Sequence, residues 1–198
     1  MTRDHYAPLP HIQLGTLGCS VPEALRAPAV HIDSPAVLVM TDMARVEPAV
    51  IAADALLSRA HQMMVHRGVR MLFVTDRERS LQGILTANDI LGERPVLAAR
   101  ERSLPADQLR VADVMTPLSD LQAIPMPTVQ RAEVGHIVAT LKSAGRQHAI
   151  VVEPGADGRQ QVRGIFSLTQ IARQLGVTIN TSEVARNFAE IEAVIVGL

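Results

Sequence analysis

Aromatic side chains are nearly missing: they make up 2% of the 198 residues, with no Trp, one Tyr and three Phe. A core must therefore be assembled from aliphatic and Met side chains. A platform that stacks the bases of single-stranded nucleic acid would have almost no rings to use. Charge of one sign is lacking too. With 19 basic and 20 acidic residues the formal net charge is −1, and neither half of the chain is strongly basic, which argues against a phosphate-backbone binder. Cys19 is the single cysteine. It excludes an internal disulfide and a cysteine metal cluster, and it fits a reducing cytoplasm. No apolar run approaches the ~20 residues of a membrane span. The opening MTRDHYAPLPHIQL has no continuous apolar stretch of the signal-peptide kind. The expectation is a cytoplasmic protein that engages neither nucleic acid nor membrane.

Catalytic motifs are lacking as well. His61 and His66 lie five apart rather than at the spacing that puts two metal ligands on one helical face. Gly18-Cys19-Ser20 is not set between a strand and a helix as a nucleophile elbow requires. There is no Walker loop and no Gly-rich dinucleotide turn, and Glu190 and Glu192 fall on different faces of one helical stretch. Nothing gathers nucleophile, base and oxyanion donors. The expectation is a non-enzyme with no metal and no cofactor.

What is present is a packing sequence, 47% apolar, with an internal repeat. LVMTD (Leu38 to Asp42) has a counterpart in DVMTP (Asp113 to Pro117), and DALLSRAHQMMVHRG (Asp54 to Gly68) in RAEVGHIVATLKSAG (Arg131 to Gly145). VRMLFVTD (Val69 to Asp76) pairs with RQHAIVVE (Arg146 to Glu153), and GILTANDIL (Gly83 to Leu91) with GIFSLTQIA (Gly164 to Ala172). The order is the same in both copies, with a longer turn in the second.

Leu56, Leu57, Ala60, Met63 and Met64 recur at helical spacing, with Asp54 as a candidate N-cap and Gly68 as a candidate left-handed terminus. Met71 to Val74 and Leu81 to Thr86 read as strands about a polar turn, and Ala87 starts a second helix. The second copy repeats this with a helix near Ala132 to Ser143, strands at Ala149 to Glu153 and Val162 to Ser167, and a helix over Leu168 to Leu175 closed by Gly176. The fold class is α+β: two β-α-β-β-α units, each too small to be comfortable alone, packed sheet to sheet. The organisation expected is a Pro-rich arm over 1–35, a first repeat over 36–92, a linker over 93–110 with a short exposed helix, a second repeat over 111–176, and an amphipathic helix over 177–198 with Thr181 as cap and Val184, Phe188, Ile191 and Ile195 on one stripe.

The VMT segments, the helices ending in Gly68 and Gly145, the hydrophobic second strands, and the Gly-Ile-Leu-Thr and Gly-Ile-Phe-Ser third strands together resemble the cystathionine-β-synthase (CBS) domain family. In that family tandem pairs form a Bateman module. The resemblance covers about Ala36 to Gly176. It implies a non-catalytic sensor that takes an adenine nucleotide (AMP, ADP, ATP or an adenosyl compound) as a regulatory ligand in the cleft between repeats. It also implies a homodimer, with an unidentified protein as a further possible partner.

The site is expected first at Thr86 and Asp89. A strand end feeding a helix start gathers unpaired backbone N–H groups. A carboxylate three residues on offers two acceptor oxygens to a vicinal diol. By resemblance, Thr86 takes the phosphate contact and Asp89 the ribose, while Arg70 reaches a phosphate with its planar fork. Val69, Met40 and Ile51 are candidates for an apolar adenine slot, and Ser167 and His148 for the second copy. Each has a plainer reading. Thr86 and Asp89 can be an ordinary helix-start pair, Arg70 a surface ion-pairing residue, the methionines core, and His148 a structural histidine. In the second copy Gln170 stands at the acidic position, which points to an empty, weaker or altered site. The alternative to a ligand sensor is a ligand-free CBS scaffold for dimerisation or protein interaction.

Overall fold

In the computed structural model, residues 30–177 are described, together with 9–11 and 20. The expectations for the arm before residue 30, for Cys19, and for the terminal helix with Thr181, Val184, Phe188, Glu190, Ile191, Glu192 and Ile195 lie outside the described residues.

The elements run β1 (Thr41–Asp42), β2 (Val50–Ala52), α1 (Leu57–Arg67), β3 (Met71–Thr75), β4 (Leu81–Thr86), α2 (Ala87–Leu91) and α3 (Arg94–Arg102). The second half gives α4 (Val111–Val114), β5 (Thr116–Pro117), β6 (Ala123–Pro125), α5 (Met126–Val129), α6 (Val134–Ser143), β7 (His148–Pro154), β8 (Gln160–Ser167) and α7 (Leu168–Gln174). Two four-stranded sheets result, in the orders β2-β3-β4-β5 and β1-β8-β7-β6. The fold is α+β, as the pattern implied.

Each sheet borrows one strand from the other repeat. β1 leads the first repeat but pairs antiparallel with β8, Thr41 opposite Ile165. β5 leads the second repeat but pairs antiparallel with β4, Ile84 opposite Thr116. The helix starts cross in the same way. The Leu57 N–H donates to the Leu109 carbonyl at 2.8 Å and the Val134 N–H to the Ser34 carbonyl at 2.9 Å. This crossing moves the start of α1. Its N-cap is Leu56, whose backbone bridges Arg110, so Asp54 is not the cap. Gly68 does close the helix, in the left-handed region at φ 63°.

The continuous apolar run of β3 follows from burial on both faces. Leu72 and Val74 pack with Ala60 and Met64 of α1, while Met71 and Phe73 turn to the other sheet and meet Ile150 of β7. The second sheet packs Val151 and Phe166 on Ile137, Leu141 and Ile171. The core thus has two helix-covered outer layers and a sheet-to-sheet seam between them. The linker helix α3 is mostly exposed, but Ala98 anchors it in the first outer layer.

Candidate functional site

Two clefts open where β4 meets α2 and where β8 meets α7, and each is completed by the other repeat. The first encloses about 370 Å³. It takes Ile84, Thr86 and Asp89 from the first repeat, Arg94 from α3, Thr116 from β5, and Arg146 and His148 from the segment entering β7. The second, about 350 Å³, is its pseudo-twofold image: Ile165, Ser167 and Gln170 with Thr41 from β1 and Val69 and Arg70 from the segment entering β3. Matching hydrogen bonds hold both corners. The Ala87 N–H donates to the Arg70 carbonyl at 2.8 Å and the Leu168 N–H to the Gln147 carbonyl at 2.9 Å.

In the first cleft Thr86 and Asp89 form a reciprocal helix cap. The Thr86 N–H donates to Asp89 Oδ2 at 2.8 Å, the Thr86 hydroxyl donates to the same oxygen at 2.7 Å, and the Asp89 N–H donates to Thr86 Oγ1 at 3.3 Å. The capping reading of this pair is therefore real, and the threonine proton is spent on it. Asp89 Oδ1 faces Arg94 Nη1 at 3.0 Å, with the Asp89 side chain 14% exposed. The same guanidinium nitrogen donates to the Val114 carbonyl and to Thr116 Oγ1, both at 3.0 Å. Across the cleft, Arg146 Nη2 donates to the Asp120 carbonyl at 3.0 Å. Two arginines and two aspartates balance in this lining.

The second cleft is different in chemistry. Gln170 Oε1 accepts from the Thr41 hydroxyl at 3.0 Å. Ser167 caps α7 without a side-chain hydrogen bond. Arg67, Arg70 and Arg173 line this cleft, with Glu47 as the one acid in the lining. Arg67 lies 3.8 Å from Glu47, and Arg70 Nη2 reaches Asn88 Oδ1 at 3.4 Å.

His148 lines both clefts. Burial, and after it the Arg70 guanidinium, lower its pKa from 6.5 to about 4, with Asp89 opposing them. At neutral pH it is an uncharged ring, so it offers no cationic charge to a phosphate.

The expected residues thus separate. Thr86 and Asp89 share the first cleft, Val69, Arg70 and Ser167 share the second, and His148 stands between. Met40 and Ile51 line neither. Met40 lies beside Gly164 because β1 crosses there, and Ile51 is buried in the layer under α1. Arg94, Arg146, Thr116 and Asp120 were missed in the first cleft, and Thr41, Arg67 and Arg173 in the second. The two VMT segments already marked Thr41 and Thr116 as equivalent; Arg94 sits in the linker, where no repeat signals it. Among the described residues no group of three or more His, Cys, Asp or Glu is arranged to hold a metal ion. No helix of the described residues is long and apolar enough to cross a membrane.

Residues 39–95 match the family model of the CBS domain, a span that includes Thr86, Asp89 and Arg94. A search of curated proteins finds no match. Among solved structures the chain is similar to an uncharacterized conserved protein from Pyrococcus horikoshii, 18% identical with a TM-score of 0.54, over 77% of this chain and 100% of that one. It is similar to CBSX2 in complex with AMP, 19% identical with a TM-score of 0.50, over 71% and 94%. It is also similar to the CBS domain of a bacterial CNNM/CorC family Mg2+ transporter in complex with the inhibitor IGN95a, 19% identical with a TM-score of 0.50, over 75% and 80%. At these identities the likeness is one of fold. Residues 39–95 are thus similar to a CBS domain, and the described residues have the fold of a tandem CBS-domain pair.

Proposed function

We propose that the chain is a non-catalytic regulatory module of the cytoplasm that binds an adenine nucleotide in the first cleft. The observation that carries this reading is the meeting, in one cleft of about 370 Å³, of the Asp89 carboxylate with Arg94 and Arg146 and the neutral His148 ring. That volume lies within the ~300–1,000 Å³ of small-molecule sites. Asp89 keeps acceptor capacity on Oδ1 for a vicinal diol, Arg94 and Arg146 supply charge for phosphate, and Ile84 and the uncharged His148 give a base apolar surface. CBSX2, of the same fold, was solved with AMP. The nucleotide acts as ligand and not as cofactor, and the Thr86 hydroxyl beside Asp89 is tied into a helix cap.

The test is calorimetry and thermal shift with AMP, ADP, ATP and S-adenosylmethionine on the full chain and on Asp89→Ala. A native-state binder must raise Tm by mass action. At least one adenine compound is expected to do so, and Asp89→Ala is expected to weaken it about tenfold, the worth of a charge-assisted hydrogen bond. Unaltered affinity in Asp89→Ala would remove the ribose assignment.

The scaffold reading has one observation in its favour. Val65, Leu91 and Val96 are 71%, 69% and 71% exposed, apolar surface that a homodimer or a protein partner would cover. Sedimentation velocity of the full chain decides the dimer, and silence of all four ligands in the thermal shift would favour the scaffold.

A further inference from the structure

α3 is amphipathic the wrong way round for a helix that packs only on its own chain. Its inward side carries small residues, with Ala98 buried and Pro95 and Ala99 half-buried, while its largest apolar side chains face outward. Val96 and Leu97 are 71% and 53% exposed, and Leu91 at the end of α2 is 69% exposed. Glu93, Val96, Leu97 and Arg100 follow at i, i+3, i+4 and i+7, so they share one face of the helix, and all four are exposed. Neither the Glu93 nor the Arg100 side chain has a hydrogen bond or ion pair among the described residues. Singly exposed apolar residues are ordinary, and an acid at the start and a base at the end of a helix suit its dipole. That plainer reading leaves unexplained two adjacent branched apolar side chains set between the two charges, on the side turned away from the core.

The face is also held in place from behind. Arg94 Nη1 reaches Asp89 Oδ1 at 3.0 Å, and Arg102 Nε reaches Asp113 Oδ1 at 3.1 Å, with Ala98 anchored in the first outer layer between them. Both ends of the helix are tied down, so little conformational freedom is lost when the outer face is covered. A second copy of the same face fits it. In an antiparallel pair with a twofold axis between Val96 and Leu97, Val96 of one copy lies opposite Leu97 of the other, and Glu93 of each opposite Arg100 of the other. A parallel pair would set Glu93 on Glu93 and Arg100 on Arg100, so the charges fix the direction. Antiparallel helices also bring opposite dipole ends together.

We propose that the outer face of α3 is a self-complementary contact through which two copies of this chain associate, with Val96 and Leu97 at its centre and Glu93–Arg100 pairs at both ends. The contact is independent of what either cleft binds. It gives the homodimer one surface, α3, in place of α1 with its exposed Val65. A single helix face belongs to the small, transient class of interfaces, below about 1,200 Å², so the association is expected to be micromolar and reversible.

The test is sedimentation velocity of the full chain over about 5–200 μM, with circular dichroism to check that each exposed substitution leaves the fold intact. The wild-type chain is expected to pass from monomer to dimer across that range. Leu97→Glu, which sets two carboxylates at the axis, is expected to weaken the dimer at least about tenfold, as are Glu93→Arg alone and Arg100→Glu alone. Glu93→Arg/Arg100→Glu exchanges the charges and is expected to recover the wild-type dissociation constant to within about threefold. A general loss of helix stability cannot mimic that recovery. Val65→Glu is expected to leave association unchanged. A chain that stays monomeric throughout the range would overturn the proposal, whether the face is bare or another segment of the chain covers it. So would a dimer that survives Leu97→Glu, a dimer lost in Val65→Glu, or a double exchange as weak as either single one. Failure of nucleotide binding reads differently, because it would leave every one of these association constants where it was.

Discussion

His148 shows how one side chain can face two sites with one protonation state. It enters β7 opposite Ser167, and its ring lines both clefts. Burial, then Arg70, hold its folded pKa near 4 against an unfolded value of 6.5. The unfolded chain therefore binds a proton first as pH falls, and folding loses stability through that interval. The contribution is complete above pH 6.5, declines between 6.5 and about 4, and is gone below. A shift of this size corresponds to about 3 kcal/mol. Melting temperature measured from pH 7 to pH 4 is expected to drop in the wild-type chain, with a shallower slope in His148→Gln. Parallel slopes in the two proteins would show that His148 carries none of the dependence. Asp89 has a structural duty as well. It accepts two bonds from Thr86 and faces Arg94. Asp89→Ala should therefore cost about 1 kcal/mol of stability through the lost cap alone, and binding measurements on it must be made well below its melting temperature.

At the scale of elements, the Gly-Ile pairs of β4 and β8 explain why the two leading strands can cross between repeats. A Cβ on Gly83 would run into the Thr116 carbonyl oxygen of β5, and a Cβ on Gly164 would meet the Thr41 carbonyl oxygen at 2.9 Å as well as the Met40 side chain. Backbone atoms of a paired strand have nowhere to move. Gly83→Ala is expected to destabilise by about 1–3 kcal/mol, the usual cost of overpacking. Chemical denaturation at fixed pH checks it, and wild-type stability would mean that β5 is not held there in solution. Both glycines were visible in the sequence as a repeated motif. Their reason was not, because two copies look alike whether each sheet keeps its own leading strand or takes its neighbour's. Local signals were legible where local physics decides: β4 runs Leu81–Thr86 and α2 starts at Ala87, where the Thr86–Asp89 box sits. They misled where a distant segment decides. Asp54 has the chemistry of a cap, but the backbone of Leu56 is tied to Arg110, and the helix begins after it. For the same reason Arg70 and Thr86, close in sequence, lie in different clefts, each completed by residues far along the chain.

At the scale of the molecule, the exchange leaves neither repeat with a complete sheet or a complete cleft. The sheet-to-sheet seam joins Met71, Phe73 and Ile84 of one copy to Ile150 of the other. Arg163 of β8 grips Asp42 of β1 at 2.8 Å and Glu153 at 3.0 Å, fastening the crossed strand. Unfolding of the chain is expected to be a single cooperative transition, and two resolved calorimetric peaks would contradict that. The same architecture couples the clefts. Arg70 belongs to the second cleft yet hydrogen-bonds Asn88 of the first, and His148 feels Arg70 from one side and Asp89 from the other. A bound anion beside Arg70 cancels part of the field that keeps His148 uncharged, while Arg67 and Arg173 on that side, and Arg94, Arg146 and Asp120 on the other, keep their own charges. ADP bound in the arginine-lined cleft is therefore expected to raise the His148 midpoint from about 4 toward its ordinary 6.5. By linkage, acidification through that range must then strengthen ADP binding there. Imidazole NMR titrations of Asp89→Asn with and without ADP measure the shift in a chain whose first cleft has lost the Asp89 carboxylate charge. A midpoint that ADP leaves in place would mean that the two clefts share a wall without sharing a signal.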